Sequence, residues 1–331
     1  MTSSGDIRVV FRVAAGPRRG FGHLVRCLSL ARAIGVRPLF AVRGGRAVVE
    51  VALALGADVI DGRSGRALQK IQPDLVVVDD PVAATARKWI AAARRAGAVV
   101  VTVHDLGIGC AEGDIVLDGS VTRQARACRG AMALTGSRFA ILDPRLKAHA
   151  RRRPKTASRA AVRNVLVALG GGPRRNTALS VARSIVAKDS RARVRIAGGF
   201  VSNDRPSPAR ENRVTWVPAR RGLARELTRA TVAVVGGGMS LYEAAAMGVP
   251  SVGLPVVAAQ SPTVRAFARR GAAVAVPFRA PDHRTAAETV ALLDDPHRRM
   301  VLARRSMQLV DGHGAARAAA AVLDFMTRKR A

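Results

Sequence analysis

The stretch Val232-Ala-Val-Val-Gly-Gly-Gly-Met-Ser-Leu-Tyr-Glu243 joins a short apolar run, three glycines and a helix-forming segment in direct succession. A buried strand followed by a tight turn and a crossover helix has this pattern. The same alternation of short apolar runs and helical spacing extends along most of the chain. Repeated βαβ units with mostly parallel sheets produce it, so the sequence predicts an α/β fold.

The alternation occurs in two blocks, which predicts two doubly wound domains. Strands are predicted in the first block at Ile7–Val13, Arg37–Val42, Leu75–Val78 and Ala98–Val103, and in the second at Asn164–Leu169, Arg193–Ile196, Val214–Val217, Val232–Val235 and, last, Ser251–Gly253. A basic stretch without a core element separates the blocks. We therefore predict an N-terminal domain over residues 1–148, a basic linker over 149–163 and a C-terminal domain over 164–331. The final helix, predicted from Gly314 to Met326, is able to pack on either domain.

Composition limits the classes of function. The 331 residues carry 55 Lys and Arg against 23 acids, a net charge of +32, but only 3% aromatics. Nucleic-acid binders add stacking aromatics or a known module to their charge, so no specific nucleic acid is predicted. Cys27, Cys110 and Cys128 suit neither a disulfide framework nor a zinc site, and we predict no metal and no cofactor. The absence of an apolar span or leader favours a cytoplasmic protein.

The first candidate site is the glycine-rich turn after the first strand, which contains Gly20, Gly22 and His23. Glycines allow tight turns, and backbone N–H groups at a helix N-terminus meet anions. Such a terminus disfavours imidazolium, so His23 is a candidate general base or hydrogen-bond donor. The alternative is that His23 only caps the helix or lies at the domain rim.

Two further turns follow strands of the second domain. One contains Gly171, and the other contains Gly236, Gly237, Gly238 and Ser240. Their amides are candidates for binding a diphosphate, or they form structural turns only. Glu243, one turn into the next helix, suits the two hydroxyls of a ribose, but Ser240-x-x-Glu243 also has the pattern of a capping box. Gln260, in a later loop, is a candidate for contacting a sugar or base edge.

Two segments, Gly20-Phe-Gly-His23-Leu-Val-Arg26-Cys-Leu-Ser-Leu-Ala31 and Gly236-Gly-Gly-Met-Ser-Leu-Tyr-Glu243-Ala-Ala-Ala-Met-Gly248-Val-Pro250, resemble the signatures of a known family. This family comprises the UDP-sugar hydrolase of pseudaminic acid biosynthesis and its spore-coat polysaccharide relatives. It is related to the N-acetylglucosaminyltransferase of peptidoglycan synthesis, a GT-B glycosyltransferase. Leu75–Asp79, Val165–Gly171 and Val310–Arg317 resemble further family segments in the same order.

The resemblance implies a GT-B-like fold, in which two Rossmann-like domains with parallel sheets face each other across a cleft. It implies that UDP lies against the second domain, with its diphosphate at Gly236–Ser240 and its ribose on Glu243. The sugar would face the first domain and His23. The expected substrate is a UDP-linked amino-deoxy sugar of surface polysaccharide or nonulosonic acid biosynthesis.

Three functions remain open at this point. The first is hydrolysis, with His23 as general base or acid and Asp79, Asp80 or Asp105 assisting. The family's usual Asp is Ala14 here and its catalytic Tyr is Pro81, which leaves room for two alternatives. One is a GT-B glycosyltransferase, peripheral at the inner membrane, whose basic linker and Arg328–Arg330 tail contact an anionic surface carrying a lipid-linked acceptor. The other is an inactive UDP-sugar-binding protein.

Overall fold

The computed structural model describes residues 7–16, 20–62, 64–104, 110–122, 126–127, 131–152, 163–170, 174–199, 213–220 and 222–330. The chain divides into two compact units. The N-terminal unit combines Met1–Pro144 with His313–Ala331, and the C-terminal unit is Arg145–Gly312. No helix among the described residues is both long enough and apolar enough to cross a membrane.

The N-terminal unit is built on one seven-stranded sheet. Its strands are β1 (Val9–Ala14), β2 (Leu39–Arg43), β3 (Asp58–Ile60), β4 (Leu75–Asp79), β5 (Val99–His104), β7 (Ile115–Asp118) and β9 (Met132–Thr135). The short strands β6 (Cys110–Ala111) and β8 (Arg126–Ala127) form a separate two-stranded sheet. The sheet order is β3-β2-β1-β4-β5-β7-β9, and every pairing is parallel. All residues of β1 and β4 are buried, as expected for central strands covered on both faces.

Crossover helices connect these strands. They are α1 (Gly22–Ile34), α2 (Arg46–Ala54), α3 (Ala67–Ile71) and α4 (Ala83–Arg95). α1 packs on β1 and β4 through its buried residues, among them Leu24, Cys27 and Leu28. Gly35, with φ of 83°, ends α1 in the left-handed conformation that glycine adopts without a steric cost.

The C-terminal unit repeats this architecture with six parallel strands in the order β12-β11-β10-β13-β14-β15. The strands are β10 (Asn164–Ala168), β11 (Arg193–Ala197), β12 (Val214–Val217), β13 (Val232–Val235), β14 (Ser251–Gly253) and β15 (Val274–Ala275). The helices are α5 (Leu146–Arg151), α6 (Arg175–Lys188), α7 (Ala224–Arg229), α8 (Met239–Ala246), α9 (Ser261–Arg269), α10 (Asp282–Asp294) and α11 (Pro296–Leu309). The prediction of two α/β units with parallel sheets is therefore confirmed.

The unit boundaries differ from the predicted domain ranges. α5 falls across the predicted end of the first domain at residue 148, but it packs on α7 and α8 and so belongs to the C-terminal unit. Of the predicted linker over 149–163, residues 153–162 lie outside the described residues. The last helix, α12 (Gly314–Arg330), was placed in the range 164–331 but packs on α1 and on the short 3-10 turn Ser137–Phe139 of the N-terminal unit.

Four strands at or next to the edges of the two main sheets were not predicted, and one of them is β3, at the β2 side of the N-terminal sheet. Ser251–Gly253 was expected to be the last strand, yet β15 extends the C-terminal sheet beyond it. β7 and β9 extend the N-terminal sheet in the same way. β15 has two residues and β9 has only one buried residue, so neither produces the continuous apolar run that identified the central strands.

The attachment of α12 to the N-terminal unit gives a first prediction. Gly314 lies so close to the chain that a Cβ atom added to it would be 2.6 Å from the backbone nitrogen of Ala140. The Gly314→Ala variant should therefore lose about 1–3 kcal/mol of unfolding free energy in urea denaturation, because backbone must move to admit the methyl group. Ala316→Ser adds one atom at an exposed position of the same helical turn and should change stability by less than about 0.5 kcal/mol. Equal stability of the two variants would contradict this packing.

Candidate active site

The functional side chains of the N-terminal unit gather where its strand order reverses. β1 lies between β2 and β4, so the chain leaves β1 towards one side of the sheet and later returns on the other. In open α/β sheets the carboxyl ends of the strands at such a switch point form the usual ligand site. His23 follows β1 at the start of α1, and Asp79 is the last residue of β4. The topology therefore brings together two residues that are 56 positions apart in the sequence.

His23 and Asp79 form a hydrogen-bonded pair. His23 Nδ1 lies 2.7 Å from Asp79 Oδ1, and the side chains are 16% and 1% exposed, respectively. Arg26, one turn further along α1, donates to both carboxylate oxygens of Asp79, from Nε to Oδ2 at 2.6 Å and from Nη2 to Oδ1 at 2.6 Å. The Cys27 thiol lies 3.5 Å from Oδ2. Asp79 is thus held by His23, Arg26 and Cys27, which lie on one face of α1 at positions i, i+3 and i+4.

The charges decide which imidazole nitrogen carries the proton. Burial alone raises the pKa of the Asp79 carboxyl, but Arg26 and His23 beside it more than offset this and hold that pKa well below its usual range. An ionised carboxylate only accepts hydrogen bonds, so the proton lies on His23 Nδ1. Arg26 Nη2 is 2.9 Å from the same Nδ1, and the two donors share Oδ1 as their acceptor. In a neutral imidazole, His23 Nε2 then has a lone pair that is able to accept a proton.

Cys27 does not extend this chemistry. The thiol is buried, and burial followed by the neighbouring Asp79 carboxylate raises its pKa well above the usual range. A thiol in such surroundings stays protonated and unreactive. Its part in the cluster is to fill the space beside the carboxylate and to donate weakly to it.

Asp80, the second predicted catalytic carboxylate, is engaged elsewhere. Arg43 at the end of β2 donates from Nε to Asp80 Oδ2 at 2.8 Å, the Val82 amide donates to Oδ1 at 3.0 Å, and Arg12 Nη2 lies 3.3 Å from Oδ2. Burial raises the pKa of Asp80, but Arg43, the Val82 amide and Arg12 together lower it. The structure does not bring Asp80 to His23. Its partners give it a structural role, in which it neutralises the buried Arg12.

The glycines of the first predicted turn determine the backbone conformation between β1 and α1. Gly16 and Gly20 exchange two backbone hydrogen bonds, of 3.1 and 2.7 Å, which close the loop between β1 and α1. Gly20 has φ of 82°, in the left-handed region. Gly22 is the first residue of α1, and no side chain among the described residues caps that helix. The amides of its first turn are therefore oriented towards the same edge of the sheet as His23.

The C-terminal unit has the equivalent switch point between β10 and β13. The turn after β13 contains Gly236, Gly237 and Gly238, and it is held by Gln260. Gln260 Oε1 accepts from the Gly237 amide at 3.1 Å and from the Val256 amide at 3.0 Å. A Cβ at Gly237 would lie 2.8 Å from Gln260 Cβ, so only glycine permits this approach. Gln260 thus fastens the turn with its oxygen, and its Nε2 has no partner among the described residues.

α8 begins two residues before the position that a capping box at Ser240 requires. Gly238 is the N-cap residue and no described side chain caps the helix there, so Ser240 is the second helical residue and not the N-cap. Glu243 lies on the buried side of α8 and is 8% exposed. Tyr242, the one tyrosine of the sequence, packs edge-on against Phe267 at 5.1 Å between ring centroids, in the interior of the C-terminal unit.

Other predicted features lie outside the described residues or in the C-terminal helix. Gly171 and Asp105 lie outside the described residues. The basic tail continues α12, where Arg328 pairs with Asp324 at 2.7 Å and Lys329 with Asp114 at 3.2 Å. Those two cations are therefore shared with carboxylates of the N-terminal unit itself.

Sequence reasoning did not assign a role to Arg26. Arg26 lies in the first signature segment, where the sequence predicts a functional role for His23 alone. The signal was the i, i+3 spacing, which places His23 and Arg26 on one face of a helix. The spacing does not reveal that Asp79 is their partner, because Asp79 is brought to this face of α1 only by the sheet topology.

The fold is shared with several enzymes of known structure. The spinosyn forosaminyltransferase SpnP superimposes with a TM-score of 0.64 and 18% identity over 98% of this chain and 100% of that chain. A UDP-N-acetylglucosamine 2-epimerase superimposes with a TM-score of 0.60 and 13% identity over 99% and 98%. The fold is that of the GT-B glycosyltransferases. At these identities the likeness concerns the fold alone, and the two relatives carry different activities in their names.

In sequence comparisons, parts of the chain match known proteins. Residues 201–305 match the family model described as UDP-glucoronosyl and UDP-glucosyl transferase. The spore coat polysaccharide biosynthesis protein SpsG of Bacillus subtilis (strain 168) is 29% identical over 174 residues, which are 49% of this chain and 50% of that protein. The match thus spans about half the length of this curated relative. The family model covers the part of the C-terminal unit that contains Gly236–Gly238 and Gln260.

The buried carboxylate gives a prediction for stability against pH. Asp79→Asn should cost about 3–5 kcal/mol at pH 7, because Arg26 is left buried without its counter-charge. The folded pKa of Asp79 is depressed, so its contribution is complete above its unfolded pKa of about 3.9 and is lost as the pH falls through the folded value. The difference between wild type and variant should therefore shrink below about pH 4. Urea denaturation at a series of pH values measures it.

The exposed pair of Asp58 with Arg37 provides the control for this experiment. Its side chains are 46% and 78% exposed, so Asp58→Asn should cost less than about 1 kcal/mol at any pH. A loss in Asp79→Asn no larger than in Asp58→Asn would show that the Asp79 carboxylate is not held as an ion by Arg26.

Proposed function

We propose that this chain is an enzyme that transfers a sugar from a UDP-sugar to a hydroxyl group, with His23 as the general base. The observation that carries the proposal is the 2.7 Å pair between His23 Nδ1 and the ionised Asp79. It leaves the other imidazole nitrogen as a proton acceptor on a side chain that is 16% exposed. A histidine oriented by a buried carboxylate is a recurrent arrangement for deprotonating a hydroxyl nucleophile.

The step balances as follows. The hydroxyl oxygen forms a bond to the anomeric carbon of the sugar, the bond from that carbon to the diphosphate oxygen breaks, and UDP leaves with the electron pair. The hydroxyl proton passes to His23 Nε2. Asp79 stabilises the resulting imidazolium, and Arg26 keeps Asp79 ionised and correctly oriented. Arg26 is therefore a positioning residue in this proposal.

The C-terminal unit is proposed to bind the nucleotide. The uncapped amides at the start of α8, after Gly236–Gly238, suit the negative charge of a diphosphate. Gln260 supports this site in two ways, since its oxygen holds the turn and its Nε2 is available to a sugar or base edge. We assign Glu243 to the ribose hydroxyls, as the resemblance implies. The match of residues 201–305 to a family of UDP-sugar transferases supports the placement.

The nucleophile distinguishes a transferase from a hydrolase. We favour an acceptor alcohol, because the matching family model and SpnP are both named as transferases and Pro81 replaces the catalytic tyrosine of the hydrolases. Tyr242 packs against Phe267 and does not substitute for that tyrosine. The SpsG relationship supports a product in surface polysaccharide biosynthesis, and a lipid-linked acceptor at an anionic membrane is the proposed source of the hydroxyl. Hydrolysis of a UDP-linked amino-deoxy sugar is the second candidate, supported by the two signature segments.

The first experiment is a substrate panel. Purified protein is incubated with UDP-sugars, with and without alcohol acceptors, and UDP, free sugar and glycoside are quantified by mass spectrometry. UDP release that depends on an acceptor supports the transferase. Release of UDP and free sugar in equal amounts without acceptor supports the hydrolase. Binding of UDP-sugars without either product would leave a binding protein and overturn the enzymatic proposal.

Substitution of the base gives a second prediction. His23→Ala should lower turnover about 100- to 10,000-fold, because proton transfer by a positioned side chain contributes that much. The Kd for UDP should stay within about twofold, since His23 belongs to the other unit. His297→Ala, at an exposed position of α11, is the matched control and should behave as wild type. Unchanged turnover in His23→Ala would remove His23 from the mechanism.

Two substitutions separate the structural role of Gln260 from its proposed role in binding. Gln260→Glu keeps an oxygen for the Gly237 and Val256 amides but lacks the Nε2 donor, whereas Gln260→Ala removes both. Both variants should bind UDP-sugars at least about tenfold more weakly, which corresponds to the 1.4 kcal/mol of one lost contact. Only Gln260→Ala should also lower the melting temperature. Wild-type affinity in Gln260→Glu would limit the residue to its structural role.

A further inference from the structure

A concave surface of the N-terminal unit lies over Trp89. It is a cavity of about 450 Å³ between α3, α4 and the chain that precedes α3. This volume is within the range of small-molecule sites. None of its lining residues belongs to the cluster around His23 and Asp79. The cavity is therefore not explained by the proposed reaction.

The rim of the cavity is positively charged. Arg66, Lys88 and Arg95 line it, and no Asp or Glu does. All three side chains are exposed, and none of them has an ion-pair partner among the described residues. Other cations of this chain find a carboxylate, as Arg32 does in Asp143 at 2.7 Å. Three cations around one cavity without a counter-charge repel one another and raise the local concentration of anions.

The floor of the cavity supplies a polar donor. Trp89 lines it and is 2% exposed, yet the indole N–H has no hydrogen-bond partner among the residues that the structure describes. A buried tryptophan normally satisfies this donor, so the indole is available to an occupant of the cavity. The Arg12 guanidinium lies 5.0 Å from the centre of the ring and holds it in place.

Beside the cavity, the backbone at Gly65 is in direct contact with α4. A Cβ atom at Gly65 would overlap the Ala92 side chain, so a glycine and an alanine are needed for this contact. The close approach places Ser64 and Arg66 at the rim, opposite Thr85 on α4. Hydroxyl groups of Ser64 and Thr85 thus accompany the three cations. Hydroxyl, indole and cationic donors without any carboxylate acceptor form a set that suits a phosphate group.

We propose that this cavity binds the phosphate group of a soluble small anion, with Lys88 and Arg95 as its main charged contacts and the Trp89 N–H as a donor. The site is separate from the proposed sugar-transfer chemistry. Its existence does not depend on that proposal, because binding is measured here without turnover.

The test uses Trp89 as its own reporter. The chain has two tryptophans, so Trp216→Phe leaves Trp89 as the only indole. Inorganic pyrophosphate is titrated into this variant at low, constant ionic strength, and the fluorescence of Trp89 is recorded. A saturable change is expected. It should weaken at least about tenfold when Lys88→Gln and Arg95→Gln are added, because two charge-assisted contacts to the anion are lost.

The control removes equal charge from the other unit. Arg284→Gln with Arg304→Gln changes two exposed arginines of α10 and α11 and should leave the titration unchanged. An equal loss in this control would show that pyrophosphate responds only to the net charge of +32 and would overturn the site. A flat titration would overturn it as well. Vesicles of phosphatidylcholine with phosphatidylglycerol form a second arm: a response to vesicles but not to pyrophosphate would overturn the assignment to a soluble anion.

Discussion

The carboxylate of Asp79 is buried at the carboxyl end of a central strand, and a charge in that position needs compensation. Two N–H groups of Arg26 and the imidazole N–H of His23 provide it. Because Arg26 and His23 lie one turn apart on α1, the interaction also fixes the position of that helix over β1 and β4. Removing one partner of such a buried pair costs far more stability than replacing both partners, because it leaves an uncompensated buried charge. The folding of this region and the orientation of the proposed base thus depend on one set of hydrogen bonds.

Asp80 shows why neighbouring carboxylates have different roles. Successive residues of an extended chain face opposite sides of the sheet. Asp79 meets α1 on one side, whereas Asp80 meets Arg12, which lies against Trp89 of α4. Crossovers before and after a switch point place their helices on opposite faces, so α1 and α4 lie on different sides of β4. The two aspartates therefore stabilise the two layers of helices separately, and only one of them lies beside a histidine.

The sequence predicted the central strands well because they are continuous apolar runs of valine, leucine and isoleucine covered on both faces. β12, β13 and β14 have the predicted bounds, although β12 lies at an edge of its sheet, and β4 differs by the single residue Asp79. The edge strand β15 has two residues and is only partly buried, so local pattern does not identify it. The location of α12 is a tertiary property too, since an Ala-rich helix has an apolar face that suits either unit. Sequence placed Asp79 and Asp80 together as candidates, and only the pairing of α1 with β4 distinguishes them.

The two units repeat one topology but use different chemical groups at the same place in it. At its switch point the N-terminal unit presents side chains, with His23, Asp79 and Arg26 in one network. At the equivalent point the C-terminal unit presents backbone, with glycines that Gln260 draws close. Backbone amides recognise an invariant anionic group without needing a particular side chain, whereas proton transfer requires a titratable group in a defined orientation. The family-model match over residues 201–305 includes these glycines. In the proposed reaction, proton transfer depends on a few side chains of the N-terminal unit, where the sequence also departs from the hydrolases it resembles.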